Sequence, residues 1–118
     1  MLEAAMKAVE SVDVCLGKLI AAVERQQGKL LVTADHGNCE KMWDDVKNEP
    51  HTAHTLNQVP IIFKDFQVRA NGEDVVEPAL EDGVLADIAP TMLEVLGVEQ
   101  PKEMTGRSLL QQRAPWPL

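Results

Sequence analysis

The first apolar positions of the chain recur at steps of three and four residues, which is the spacing of one face of an α-helix. They are Leu2, Met6, Val9, Val12, Leu16, Leu19, Ile20 and Val23. This pattern predicts an amphipathic helix over residues 2–26. Gln27 and Gly28 follow it and supply the expected C-terminal stop.

Two later apolar runs have the length of strands. Residues 30–32 are consecutive and apolar between a helix and a polar turn, so residues 29–34 are predicted to form a strand buried on both faces in a parallel sheet. Residues 59–63 predict a second strand. Its Pro60 lies near the start, where a strand tolerates proline.

Polar segments separate and follow these strands. Residues 35–38 read DHGN and predict a turn, and the charged residues 38–50 predict a short helical turn with an exposed loop. Residues 64–83 are charged and irregular, with turns predicted at Asn71-Gly72 and Asp82-Gly83.

A second amphipathic pattern covers residues 84–96 and is stopped by Gly97. Pro90 lies inside it, which favours a helix start near Asp87, because proline fits the first turn of a helix. Residues 100–118 are rich in proline and are predicted to be irregular. The order helix, strand, loop, strand, helix predicts an α/β layered fold. Two strands are fewer than an ordinary sheet contains, so further strands are expected to complete it.

Composition narrows the class of protein. The 118 residues amount to at most one domain, and the 45% hydrophobic content is enough for a core. Lys and Arg total 11 against 19 Asp and Glu, a net charge of -8. This charge argues against nucleic acid and anionic membranes as partners. The absence of Tyr, with only two Phe and two Trp, argues against stacking on single-stranded nucleic acid.

The expected location is the cytoplasm. No apolar run reaches the eighteen or so residues that span a membrane, and the N-terminus lacks the basic-then-apolar order of a signal peptide. Cys15 and Cys39 have no CxxC spacing. A reducing compartment is the default interpretation of this cysteine usage.

Candidate chemistry lies in the turn after the first strand. Asp35 and His36 follow that strand directly, where ligands bind in open sheets, and Gly37 permits a tight turn. His54 precedes the second strand and is expected at the same edge. One Asp and two His suit a transition metal such as Mn or Zn. The alternative is that Asp35 caps a turn and the histidines are solvated.

Other residues of this region receive structural interpretations. His51 beside Pro50 is interpreted as structural, so His54 is the preferred ligand. Cys39 is either a soft ligand or a small buried hydrophobe, with the second favoured, and Cys15 is assigned to the core or border of the first helix. Trp43 either covers the site or packs within the charged loop, with packing favoured. The acidic residues of that loop, Asp44, Asp45 and Glu49, are assigned to a solvated face.

A nucleophile and an anion clamp are both missing. Ser11 falls within the first helix and Ser108 in the tail, so neither occupies a strand-to-helix elbow. The four arginines are scattered along the chain, whereas a phosphate site clusters them. The residues alone therefore indicate part of a metal site and no catalytic residue.

Three stretches carry a resemblance to a known family. They read LLVTADHGN, HTAHTLNQVP and DIAPTMLEVLGVEQPKEMTG. They resemble the C-terminal part of cofactor-independent (2,3-bisphosphoglycerate-independent) phosphoglycerate mutases, of the alkaline phosphatase superfamily. Asp-His-Gly is common in that superfamily, and the other two blocks are much more specific. The resemblance extends from the first helix to about Leu109, with Gln58 standing where the family often has Pro.

The resemblance implies a fold and an activity. The whole chain, residues 1–118, would be the C-terminal segment of a three-layer αβα phosphatase domain. The family interconverts 3-phosphoglycerate and 2-phosphoglycerate through a phosphoserine, assisted by two Mn²⁺ ions. Zn²⁺, Co²⁺ and Mg²⁺ compete for such mixed sites. Asp35 and His36 match ligands of one ion, and His54 matches a ligand of the other.

The resemblance also implies missing parts. The nucleophilic serine belongs to an N-terminal segment, most substrate-binding groups belong to an inserted domain, and a further Asp and His ligand precede the first helix. The 118 residues alone are therefore expected to be inactive. Alternatives are a piece of another phosphomutase or hydrolase of the superfamily, and a non-catalytic partner subunit. Open strand edges predict self-association.

Overall fold

A computed structural model describes residues 2–111 of the chain. Its elements are α1 (Leu2–Arg25), β1 (Lys29–Thr33), β2 (Trp43–Asp44), β3 (Glu49–Pro50), β4 (Ile61–Asp65) and α2 (Ile88–Val95), the last preceded by a 3-10 turn at Leu85–Asp87. The mixture of helices and strands confirms the predicted α/β class. No helix within residues 2–111 is long and apolar enough to cross a membrane.

Helix α1 ends as its sequence predicts, although a different residue makes the turn. Gln27, and not Gly28, adopts the left-handed conformation, with φ of 51°. The Gly28 N–H then donates a hydrogen bond to the Val23 carbonyl at 3.0 Å. This bond satisfies one of the carbonyls left free at the helix C-terminus.

The apolar face of α1 is largely open. No residue of α1 is buried, and Leu2, Val12 and Leu19 each expose more than half of their surface. The helix contacts β1, and the partly covered residues lie mostly in its last turns. The predicted helix is therefore confirmed, and residues 2–111 leave most of its apolar face uncovered.

Strands β1 and β4 form an antiparallel pair, with Lys29 opposite Asp65 and Thr33 opposite Ile61. The predicted parallel pairing is wrong for this pair, which is antiparallel. The predicted burial of both faces is also wrong, because β1 is only half-buried. A parallel return needs a crossover, usually a helix, and no helix lies between Thr33 and Ile61. Strand β4 also begins after Pro60, since proline has no N–H for the ladder.

Residues 43–50 form a small hairpin, and the helical turn predicted within residues 38–50 is wrong. Trp43 pairs with Pro50 and Asp44 with Glu49. Asp44 Oδ1 accepts hydrogen bonds from the Val46 and Lys47 N–H groups at 3.0 and 3.1 Å, so its side chain closes the turn. Those two N–H groups, Lys47 first, lower the Asp44 pKa. The predicted exposure of Asp45 and Glu49 is confirmed, whereas Asp44 is half-buried.

Helix α2 begins where its sequence predicts. Pro90 lies in the first turn, and Gly97 follows the helix with φ of 67°, a conformation that favours glycine. The buried Asp87 side chain accepts the Val84 N–H through Oδ2 and the Arg107 N–H through Oδ1, both at 2.9 Å. These two donors, Val84 first, lower the Asp87 pKa.

The best-buried apolar residues lie in the tail. Leu109 and Leu110 are 2% and 6% exposed. Leu110 bridges Leu80, and the Leu109 carbonyl accepts the Glu81 N–H at 2.8 Å. The predicted irregular tail is confirmed for residues 100–111, which form no helix or strand. Its part at residues 112–118 lies outside the described residues.

Candidate metal centre

One end of the β1–β4 pair brings the three predicted ligands together. Asp35 and His36 lie in the turn that leaves β1, and His54 lies in the segment that leads to β4. Because the strands are antiparallel, the end of β1 and the start of β4 are neighbours. The shared edge expected from the sequence is therefore present.

The two histidine rings lie face to face. The centroids of His36 and His54 are 3.6 Å apart and their planes differ by 14°. Asp35 Oδ1 lies 3.5 Å from His36 Nε2, on a side chain that is 85% exposed. The arrangement groups one carboxylate and two imidazoles, which is a mixed oxygen and nitrogen donor set.

His36 is held in one tautomer by its neighbour. Its Nδ1 lies 3.0 Å from the Gly37 carbonyl oxygen. A carbonyl oxygen only accepts hydrogen bonds, so Nδ1 carries a proton, and in the neutral ring the lone pair is then on Nε2. Histidines that bind metals commonly donate their other N–H to a backbone carbonyl in this way. The Nε2 atom facing Asp35 is therefore prepared as a ligand.

A single antiparallel bridge sets the spacing of the two histidines. Gly37 pairs with Thr55, whose N–H donates to the Gly37 carbonyl at 2.9 Å, and both residues are buried. His36 and His54 each precede one member of this pair. They are therefore diagonal neighbours across the bridge, a spacing that ring side chains can reach across.

Glu40 connects the two segments through its carboxylate. Oε2 accepts the Asn38 N–H at 2.7 Å, and Oε1 accepts the Thr55 hydroxyl and, at 3.2 Å, the Asn57 amide. Chiefly the Thr55 hydroxyl lowers the Glu40 pKa to about 2. Sequence reasoning missed Glu40, because a glutamate in a charged loop has the pattern of an ordinary solvated residue.

A cleft of about 580 Å³ adjoins the site. Asp35, His36 and Thr55 line one side of it, and Gly83, Val84 and Leu109 line another. The buried Leu109 therefore helps to shape the cleft that Asp35 and His36 line.

Four other residues considered from the sequence do not line the cleft beside the candidate ligands: Cys15, Cys39, Trp43 and His51. His51 directly follows the hairpin, and its N–H donates to the Met42 carbonyl at 3.0 Å. Cys39 and Cys15 are exposed, so the assignments of Cys39 as a buried hydrophobe and of Cys15 to the core or border are wrong. Trp43 is 48% exposed in the hairpin and does not line the cleft.

The three candidate ligands do not make one closed set. Within the described chain, no group of three or more His, Cys, Asp or Glu is placed to hold one metal ion. A metal lies in the plane of the imidazole that binds it. Two nearly parallel planes do not meet at one ion, so the His36 and His54 rings are not arranged to bind the same ion.

Comparison with known proteins places the chain in a family. The model of the Metalloenzyme superfamily matches residues 1–100. The chain belongs to this superfamily, as the Asp-His-Gly turn and the flanking motifs predicted.

Three individual relatives carry the same name. The chain is similar to the 2,3-bisphosphoglycerate-independent phosphoglycerate mutases of Rhodopirellula baltica (53% identical over 94% of the chain and 19% of the relative), Pseudomonas savastanoi pv. phaseolicola (50%, over 93% and 20%) and Synechococcus elongatus (51%, over 94% and 21%). The resemblance read from the motifs is confirmed. The chain spans about one fifth of the length of these relatives.

Proposed function

We propose that this chain supplies part of the two-metal centre of a phosphoglycerate mutase, an isomerase that interconverts 3-phosphoglycerate and 2-phosphoglycerate through a phosphoserine. One observation carries the proposal: Asp35, His36 and His54 meet at one end of the β1–β4 pair. The reaction is taken from relatives that are 50–53% identical to the chain and are named phosphoglycerate mutases.

Asp35 and His36 would hold one ion and His54 the other. The near-parallel rings support this division, because each nitrogen lone pair lies in its own plane. Mn²⁺ is the proposed metal, with Zn²⁺, Co²⁺ and Mg²⁺ as competitors for a mixed oxygen and nitrogen set. Two such ions polarise phosphoryl oxygens and stabilise the attacking and leaving oxygens.

This chain's own residues prepare the ligands. The Gly37 carbonyl fixes the proton on His36 Nδ1, so Nε2 is free to bind without a tautomer change. The Asp35 carboxylate lies beside that nitrogen and adds a negative charge that favours a divalent cation. The bridge between Gly37 and Thr55 then keeps His54 beside this pair.

The nucleophile and the phosphoglycerate-binding groups are proposed to come from other parts of the mutase. Ser11 donates its hydroxyl to the Lys7 carbonyl on α1, and Ser108 accepts the Leu110 N–H in the tail. Neither serine lines the cleft. The 118 residues alone are therefore proposed to be inactive. From the net charge of -8 we also propose that the chain binds no nucleic acid or anionic membrane, and we propose a cytoplasmic location.

The open strand edges support a further expectation, which is self-association of the isolated chain. β1 and β4 form a two-stranded sheet, so among residues 2–111 neither strand has a second strand beside it. Light scattering over a range of concentrations measures this. A mass that stays at 13.0 kDa at high concentration would contradict it.

A segment exchange tests the proposed function. This chain replaces the matching segment of the Rhodopirellula baltica relative, and the purified hybrid is assayed for conversion of 3-phosphoglycerate into 2-phosphoglycerate. We expect an active hybrid whose turnover falls at least about a hundredfold with Asp35→Ala or His54→Ala. Glu24→Gln, on α1, is the control and should keep full activity. A hybrid that only releases inorganic phosphate would favour a hydrolase instead.

A further inference from the structure

The segments that carry the candidate ligands have little regular structure of their own. Residues 34–42 and 51–60 contain no helix and no strand, and one bridge joins them. His36 is half-buried and His54 is exposed, so packing alone does not fix their rings. The polar contacts around the bridge must therefore keep the two histidines side by side.

Glu40 makes more of these contacts than any other side chain in the two segments. Its two oxygens accept hydrogen bonds from Asn38 on one segment and from Thr55 and Asn57 on the other. Hydrogen bonds to an ionised acceptor are stronger than those between neutral groups. The carboxylate is thus a charged link between the turn after β1 and the approach to β4.

The link acts one residue beyond each histidine. Gly37 follows His36, and Thr55 follows His54. A side chain at Gly37 would collide with Glu40 Oε1 and Thr55 Oγ1, so the carboxylate and hydroxyl lie directly against the Gly37 Cα. Glu40 therefore packs directly against the Gly37–Thr55 pairing that sets the distance between the rings.

We propose that Glu40 is a positioning residue that holds His36 and His54 in register for metal binding. The proposed role is indirect: Glu40 acts through the two segments that it links, since its carboxylate oxygens accept hydrogen bonds from donors on both of them. It rests on the proposed function for the metal, while the positioning of the rings is a property of the metal-free chain.

The first experiment uses the 118-residue chain without metal. Nuclear Overhauser effects between the His36 and His54 rings are measured by NMR, with His36→Ala and His51→Ala variants to assign the three histidines. We expect a ring-to-ring effect in the wild type and its loss in Glu40→Gln. The glutamine side chain has an NH2 group in place of one carboxylate oxygen. This group cannot accept the hydrogen bond that Asn38 or Thr55 donates to that oxygen. Glu24→Gln, which removes the same charge from α1, should retain the effect.

A second variant separates positioning from folding. Thr55→Val keeps the branched shape and removes only the hydroxyl that Glu40 accepts. It should weaken the ring-to-ring effect, with backbone amide shifts outside residues 34–60 unchanged. A ring-to-ring effect that persists in both Glu40→Gln and Thr55→Val, or that is absent from the folded wild type, would overturn the positioning role.

The third measurement adds Mn²⁺ and follows its binding by electron paramagnetic resonance. We expect Glu40→Gln to weaken Mn²⁺ affinity by about ten- to a hundredfold, the usual range for residues that orient ligands. Equal affinity in Glu40→Gln and wild type would overturn the proposal. A wild type that binds no Mn²⁺ but keeps its ring-to-ring effect would overturn the metal site and leave the positioning of the rings supported.

Discussion

The hydroxyl of Thr91 accepts the backbone N–H of Leu109 at 3.0 Å while donating to the Asp87 carbonyl at 2.7 Å. Thr91 has no exposed surface and Leu109 is 2% exposed. This relationship joins the first turn of α2 to the tail. It holds the irregular backbone at Leu109 against α2, next to one of the best-buried apolar side chains.

Thr91→Val is expected to lower the free energy of unfolding by about 1–3 kcal/mol. Valine keeps the shape of threonine but leaves the buried Leu109 N–H without an acceptor. Urea unfolding followed by circular dichroism measures the change. Thr52→Val is the control, because Thr52 is exposed, and it should unfold like the wild type. An equal effect in both variants would contradict a role for the buried hydroxyl.

Asp87 predicts a specific acid sensitivity. Its pKa lies below the ordinary value of 3.8 because the Val84 and Arg107 N–H groups stabilise the carboxylate. A carboxyl whose folded pKa is lowered contributes stability above its unfolded pKa, and this contribution is lost as pH falls through the folded pKa. Thermal stability of the wild type should therefore fall as pH drops below about 4, and Asp87→Asn should show a smaller fall.

Asp13→Asn is the matched control for this titration, since Asp13 lies on the exposed α1. It should reproduce the wild-type dependence on pH. If Asp87→Asn also reproduced it, the two backbone hydrogen bonds would not be the source of the acid sensitivity.

Gly37→Ala should disrupt the candidate metal centre. The added methyl group would collide with the Glu40 carboxylate and the Thr55 hydroxyl, so the bridge between the two segments must open. Mn²⁺ affinity, measured by titration calorimetry, is expected to fall at least about tenfold. Gly17→Ala is the control: nothing lies near its added methyl, and it should stabilise α1 by about 0.5–1 kcal/mol. Unchanged affinity in Gly37→Ala would contradict the packing described.

The division of ligands predicts separate losses of two ions. His36→Ala should remove one Mn²⁺ binding event and His54→Ala the other, because the parallel rings direct their lone pairs into different planes. Electron paramagnetic resonance reports each event and any coupling between the two ions. His51→Ala should change neither. Loss of both ions in either single variant would indicate one shared site.

Local periodicity predicted the helices well. The apolar spacing of α1 and the placement of Pro90 in α2 depend on neighbours within a turn or two, which the sequence displays directly. The ends of β1 and β4 were less predictable. Their antiparallel pairing depends on the path that residues 34–60 follow between the two strands. That path is decided by contacts between residues that are distant in sequence.

The candidate ligands were predictable and the residue that links them was not. Asp35, His36 and His54 are unusual residue types beside strands, so they are conspicuous in sequence. Glu40 is one of many acidic residues, and only the bridge between Gly37 and Thr55 brings its carboxylate to Thr55 and Asn57. The burial of Leu109 was unpredictable for the same reason, since its partner Thr91 is eighteen residues away.

The exposed apolar face of α1 has a thermodynamic consequence. Because this face already contacts solvent, unfolding α1 exposes little new apolar surface. The helix therefore adds little to the heat-capacity change of unfolding or to the dependence of the unfolding free energy on denaturant. The helix can then fray without opening the segments around Thr91 and Leu109. The amide protons of α1 would exchange with solvent first, and those around Thr91 and Leu109 last.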